Sequence, residues 1–253
     1  MPRLLVRRPS PRLADGELTH LDRVPVDAER ALQQWHGYVD VFRQRGWDIV
    51  EVDADDAQAD GVFVEDALVV FEDLVLLCRA GAESRRGEAT TAAAAAAALG
   101  LPVERIVAPG TLDGGDVLKV GRTVYVGASS RTNPSGIAQL RSLLEPRGWD
   151  VVEVPVTRVL HLKSGVTALP DGTVVGFAPL VDDPTIFPAF LDIPEEHGTA
   201  VVVLDERTVL MSDDAPQTAA VYRDRGLEVV TAAVSEFEKL EGCVTCLSVR
   251  IRD

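Results

Sequence analysis

Short apolar runs come in pairs along this chain, and most pairs are followed by a segment of helical period and then by a further apolar run. Ala67 to Phe71 is paired with Leu74 to Leu77, Val117 to Val120 with Thr123 to Val126, Val166 to Leu169 with Thr173 to Gly176, and Ala200 to Val203 with Thr208 to Met211. Such runs, rich in Val and Leu and bounded by Gly, Asp or Pro, predict strands. Between Val26 and Arg45 the apolar residues Ala31, Leu32, Trp35, Val39 and Phe42 recur at helical spacing and predict a long helix with one buried face. Ala92 to Ala98 repeats the strongest helix former. Ahead of these, a strand over Leu4 to Arg7 leads into a Pro-, Asp- and Gly-containing loop, Pro9 to His20, long enough to act as a lid.

The helix ends repeat as well. Arg45-Gly46-Trp47-Asp48-Ile49-Val50-Glu51-Val52 returns almost unchanged as Arg147-Gly148-Trp149-Asp150-Val151-Val152-Glu153-Val154, and more loosely at Leu99-Gly100-Leu101 and Arg225-Gly226-Leu227. In each, a glycine suited to a left-handed helix cap precedes a large apolar residue and a strand. The repeating unit is strand, strand, helix, strand, at spacing too irregular for a linear solenoid. The expectation is an α/β protein, a closed ring of such units around a central cavity, with residues 1–253 forming one domain. Loops joining the units would then line that cavity, and their polar residues are the candidates for chemistry.

Composition narrows the function. The 253 residues are 46% hydrophobic and 26% charged, as in soluble globular proteins, and the formal net charge is -15. That sign argues against a nucleic-acid or anionic-membrane partner and favours cationic ligands. No run is long enough for a signal peptide or a membrane span, so a cytoplasmic location is expected. Three cysteines do not make a disulfide framework, and Cys243-Val244-Thr245-Cys246 lacks the second pair a zinc site needs. This segment is predicted to join a helix over Val234 to Leu240 to a strand over Val244 to Ile251. A thiol there would be rigid and reachable, although a cysteine opening an apolar strand is more often core than catalyst.

Several loops carry groups of interest. In Asp60-Gly61-Val62-Phe63-Val64-Glu65-Asp66, carboxylates flank a short apolar run; they either close a strand facing water or offer acceptors to a guanidinium. Ser84-Arg85-Arg86 places cations at a helix start, against the helix dipole, where they either bind a ligand carboxylate or pair with Glu83 or Glu88. Ser130-Arg131-Thr132-Asn133 holds the equivalent position before the next helix. Leu112-Asp113-Gly114-Gly115-Asp116-Val117 is a turn whose glycines would let backbone pass close to a ligand. His161 sits in an apolar run, Val159-Leu160-His161-Leu162-Lys163.

Taken together and in order, Val62 to Asp66, Ser84 to Arg86, Leu112 to Val117, Arg131 to Asn133, Leu160 to Ser164 and Thr245-Cys246-x-Ser248 resemble the dimethylarginine dimethylaminohydrolases. These belong to the guanidino-modifying, or pentein, superfamily. The resemblance spans about Leu4 to Ile251 and implies a five-bladed α/β-propeller. It implies Cys246 as nucleophile, His161 as proton shuttle and Asp113 as its carboxylate partner. Asp60 and Asp66, with Glu65 nearby, would receive the guanidinium and amino ends of a methylated arginine. Arg85 and Arg131 would clamp its carboxylate, Leu18 would sit on the lid, and Leu240 would lie beside the nucleophile. No metal or cofactor is implied, and a homo-oligomer is allowed. Cys243 departs from the family, which usually has an apolar residue there. An arginine deiminase is the nearest alternative, but such enzymes carry a carboxylate two residues after the histidine, where this chain has Lys163. An amidinotransferase fits less well, for want of a second amine site, and a non-catalytic binder would have little reason to keep Cys, His, Asp and both arginines.

Overall fold

In the computed structural model, which describes residues 1–252, fifteen strands form five three-stranded sheets. The first sheet is assembled from both parts of the chain that lie farthest apart in sequence. β1 (Arg3–Val6) runs through α1 (Ala28–Arg43) to the parallel strand β2 (Asp48–Glu51), and β1 also pairs antiparallel with the last strand, Val249–Ile251. The second unit is β3 (Leu68–Phe71), β4 (Leu74–Leu77), α2 (Glu88–Ala98) and β5 (Val103–Arg105). The third is β6 (Val117–Val120), β7 (Thr123–Ala128), α3 (Pro134–Leu144) and β8 (Asp150–Pro155). A one-turn helix, α4 (Leu162–Gly165), opens the fourth, which continues as β9 (Val166–Ala168), β10 (Val174–Gly176) and β11 (Phe190–Asp192). The fifth holds β12 (Val202–Val203), β13 (Thr208–Ser212), α5 (Pro216–Asp224) and β14 (Glu228–Ala232), followed by α6 (Ser235–Glu238) and β15 (Val249–Ile251). Each sheet has one antiparallel and one parallel pairing; in the second to fifth the antiparallel pair is a hairpin, and in the first it joins β1 to β15, so the predicted strand pairs are all present.

Local chemistry explains the punctuation. Gly46, Gly100, Gly148 and Gly226 adopt φ of 76°, 73°, 78° and 86°, which an L side chain would resist. Asp27 caps α1 by accepting from the Arg30 amide at 3.0 Å, and Asn133 caps α3 by accepting from Gly136 at 2.8 Å, with Pro134 at the first helical position. The buried face of α1 is Ala31, Gln34, Trp35, Tyr38, Val39 and Phe42. Leu32, expected on that face, is 39% exposed, because the true stripe runs one position to its side. Tyr38 Oη lies 2.6 Å from Ser248 Oγ in the core and ties α1 to the segment entering β15. Removing the buried Phe42 ring would cost about 3–5 kcal/mol.

Three further expectations are corrected. The fourth unit has no α-helix between its second and third strands; Pro179, Pro184 and Pro188 break that stretch, which forms only two single 3-10 turns. The run Val62 to Val64 is not a strand; Val64–Asp66 is a 3-10 turn. Val244 to Leu247 is not the start of the last strand either but a turn, closed by the Cys246 amide donating to the Cys243 carbonyl at 3.1 Å. Val244 and Leu247 still point into the core, which is why the pattern reads as a strand. Among the described residues, no helix is long and apolar enough to cross a membrane.

Candidate active site

One small cleft gathers residues from the loops of all five units. The loop after β1 contributes Glu17; the approach to β3 contributes Asp60, Phe63 and Asp66; the starts of α2 and α3 contribute Arg85 and Arg131. Leu160 and His161 enter from the loop before α4, and Leu240, Glu241, Gly242 and Cys246 from the segment between α6 and β15. The cleft is nearly filled, with only about 10 Å³ of free space.

His161 is its centre. Nε2 lies 3.1 Å from Asp113 Oδ2, and Nδ1 lies 3.8 Å from Asp66 Oδ1. Burial alone would lower the imidazole pKa, but the Asp66 charge and the Asp113 hydrogen bond outweigh it and push it up to about 9. Asp113 does not line the cleft; it stands behind the imidazole, accepting also from the Gly81 amide at 2.9 Å. The backbone reaches this position because Gly114 and Gly115 have no side chains. A Cβ at Gly115 would come 2.8 Å from the imidazole and 2.6 Å from Asp66, and one at Gly114 would strike the Glu65 carbonyl.

Asp66 is held by Arg85 Nη1 at 2.8 Å and by the Gly115 amide at 3.0 Å. Burial would raise its pKa, yet His161, Arg85 and Lys163 together hold it below the ordinary carboxylate value. Arg85 is fully engaged: Nε and Nη2 grip both oxygens of Glu88 at 2.8 and 3.0 Å. The dull pairing with Glu88 and the inward placement of Arg85 are thus both real, whereas Arg86 pairs with Glu83 near the surface. Arg131 is different. Its Nη1 is buried, makes no hydrogen bond, and lies 3.4 Å from Glu17 of the lid loop, while Nη2 donates to Thr19 at 3.1 Å. Asp60 accepts from the Glu17 amide at 3.1 Å, and burial raises its pKa.

Glu65 is not in the cleft. In the 3-10 turn that carries both acids, Asp66 turns toward His161, while one oxygen of Glu65 meets Lys163 and Arg250, each at 2.7 Å. That pair of cations lines a separate cavity of about 840 Å³ on the other side of the Glu65 side chain. Glu65 keeps contact with the cysteine segment through its amide, which donates to the Cys246 carbonyl at 3.3 Å. Leu18 is partly buried on the lid, against the same apolar cluster that contains Leu240 and Cys246.

Three important residues escape sequence reasoning. Asp116, fully buried, accepts from Ser129 and Thr132 at 2.6 Å each and from the Leu162 amide at 2.8 Å. It thereby ties the Asp113, Arg131 and His161 loops together; its place at the end of a Gly-Gly turn is the available signal. Glu17 enters the cleft from the lid. Glu241, the one described non-glycine residue with positive φ, at 59°, holds the lid by accepting from the amides of Thr19, His20 and Leu21 at 2.7, 2.6 and 3.2 Å.

Cys246 and Cys243 lie side by side, Sγ to Sγ 3.3 Å. The Cys246 hydrogen bond lowers the Cys243 thiol to about 7, and the same contact, with burial, raises Cys246 well above an ordinary thiol. Acceptor atoms of Asp66, Asp113 and His161 lie within 4.8 Å of one another, as do those of His197, Asp214 and Glu238.

Comparison with known proteins gives the chain's relatives. Residues 22–164 match the family model described as N,N dimethylarginine dimethylhydrolase, eukaryotic. The N(G),N(G)-dimethylarginine dimethylaminohydrolase of Streptomyces coelicolor is 56% identical over 98% of this chain and 96% of its own. The protein of the same name from Pseudomonas aeruginosa is 35% identical over 98% of both. A solved structure of a cysteine-to-serine variant of the Pseudomonas aeruginosa enzyme, complexed with citrulline, superposes with a TM-score of 0.91 at 33% identity, covering 98% of each chain. With the fold, the loop motifs and two full-length relatives in agreement, the chain belongs to the dimethylarginine dimethylaminohydrolase family.

Proposed function

We propose that this protein hydrolyses N-omega-methylated arginines, asymmetric dimethylarginine and monomethylarginine, to citrulline and dimethylamine or methylamine. The observation that carries this reading is the buried imidazole of His161, braced by Asp113 and Asp66 in one cleft with a cysteine and with Arg131. A guanidinium carbon is a poor electrophile, since resonance spreads its charge, so a thiolate and a positioned acid are the groups its cleavage needs. The Cys246 thiolate attacks that carbon, and the bound cation itself favours the thiolate. His161, protonated at neutral pH, gives its proton to the departing amine as the carbon–nitrogen bond breaks. A thiouronium on Cys246 remains. The neutral imidazole then takes a proton from water, whose oxygen adds to the same carbon; the carbon–sulfur bond breaks and citrulline leaves.

In this reading Asp66 faces the guanidinium beside His161, and Asp60, under the lid, faces the amino end. Arg131 is the principal clamp for the substrate carboxylate, because Arg85 is already matched by two carboxylates. Leu18 and Leu240 pack along the substrate's methylene chain. Glu65 acts at one remove, through the Cys246 carbonyl. Lys163 neutralises Glu65 and so adds no acceptor to the guanidinium end, which suits an alkylated nitrogen over the unmethylated arginine of a deiminase. We read residues 1–253 as one domain and the three free thiols as fitting a cytoplasmic setting. The covalent step is tested by quenching turnover with acid and weighing the peptide that carries Cys246. A thiouronium adduct on that peptide supports the reading, and its absence under steady turnover overturns it.

A further inference from the structure

We propose that Cys243 and Cys246 form a peroxide-responsive dithiol, in which Cys243 is oxidised first and Cys246 closes a disulfide upon it. The sulfurs are 3.3 Å apart, and the turn between them is closed by the Cys246 amide on the Cys243 carbonyl at 3.1 Å. Residues at the two ends of such a turn have Cα atoms within about 7 Å, close to the range a disulfide spans, and the sulfurs need to approach by little more than about 1 Å. Access differs between them. Cys243 is half-buried and lines a cavity of about 340 Å³ bounded by Leu21, Arg158, His197 and Glu238, whereas Cys246 faces only the filled cleft. A small oxidant therefore meets Cys243 first. The hydrogen bond from Cys246, with a further contact from Thr245 Oγ1 at 3.2 Å, favours the Cys243 thiolate, the form that reacts.

The chemistry balances with one hydrogen peroxide. The Cys243 thiolate attacks a peroxide oxygen, the oxygen–oxygen bond breaks, and the departing hydroxide takes a proton as water, leaving Cys243 as a sulfenic acid. The Cys246 sulfur attacks that sulfur, the sulfur–oxygen bond breaks, and a second water leaves with the Cys246 proton. Dithiol and peroxide become disulfide and two waters, and an external thiol reverses the change. The disulfide stands whether or not Cys246 is the nucleophile; only the accompanying loss of turnover rests on the proposed function.

The test treats the purified full-length protein with hydrogen peroxide, blocks remaining thiols with iodoacetamide, and weighs the tryptic peptide from Leu240 to Arg250, which holds both cysteines. The expected peptide carries no alkyl group, is about 2 Da lighter than the dithiol, and becomes doubly alkylated after dithiothreitol and a second treatment with iodoacetamide. Citrulline release should fall and recover in step. Each measured against its own untreated rate, Cys243→Ala and Cys243→Ser should lose activity to peroxide about tenfold more slowly than wild type. Two alkylatable thiols after oxidation, or a sulfinic acid on Cys246 beside an alkylatable Cys243, would overturn the proposal. So would equal inactivation of wild type and both variants. Because the peptide mass is read on wild type, the result does not depend on either variant folding.

Discussion

His161 Nε2 lies 3.1 Å from Asp113 Oδ2, across a hydrogen bond between two buried side chains whose positions are 48 residues apart in sequence. With Asp66 on the other ring nitrogen, this pair holds a proton on the imidazole that burial would otherwise remove. Ring-proton NMR of the ligand-free protein should show His161 titrating near 9. Since the folded value lies above the unfolded one, its stabilisation is full below about pH 6.5, on the order of 3 kcal/mol, and is lost as pH rises through 9. A midpoint near the ordinary histidine value would contradict the arrangement.

Asp113→Asn keeps the shape and removes the charge. His161 should then titrate at lower pH, and turnover should fall by on the order of 100-fold or more. Paired measurement of the imidazole titration and of kcat checks this; a drop in kcat with an unmoved titration would assign Asp113 another role.

Asp116 never touches the cleft, yet it ties its own turn to two of the loops that build it, those of Arg131 and His161. Asp116→Ala strands three donors and should cost about 2–4 kcal/mol in urea unfolding, with a larger loss of turnover than of fold. Asp116→Asn, which keeps two of the three acceptor contacts, should be milder in both. Equal effects of the two substitutions would argue against the hydrogen-bond role.

Glu17 occupies the approach to Arg131, at 3.4 Å, from a loop that Glu241 pins by three amides. If Arg131 receives the substrate carboxylate, Glu17 competes with it. Glu17→Gln should lower KM by about two- to fivefold, the range of a partly exposed ion pair, with kcat nearly unchanged. A raised KM would mean that Glu17 assists binding instead.

How far the sequence reaches depends on how local the cause is. The glycine stops at Gly46 and Gly148 and the strand pairs are dictated by neighbours a few residues away, so the repeat is readable without a structure. The missing fourth helix was readable in principle from Pro179, Pro184 and Pro188. The turn at Val244 to Leu247 was not, because two core-facing apolar residues mimic a strand. At the site, spacing alone never joins His161 to Asp113; the resemblance supplied that pair, and the geometry brings it together with Cys246, Arg85 and Arg131. It could not tell that adjacent acids diverge, Glu65 to Lys163 and Arg250, Asp66 to Arg85. Nor could it reveal Glu17, Asp116 or Glu241, whose partners lie on other loops.

The most direct measurement is citrulline release by the purified protein from asymmetric dimethyl-L-arginine and from L-arginine, side by side, with Cys246→Ser as control. Turnover of the methylated compound in clear preference, abolished in the folded Cys246→Ser protein, is the predicted result. Preference for L-arginine, or substantial turnover remaining in Cys246→Ser, would contradict the account.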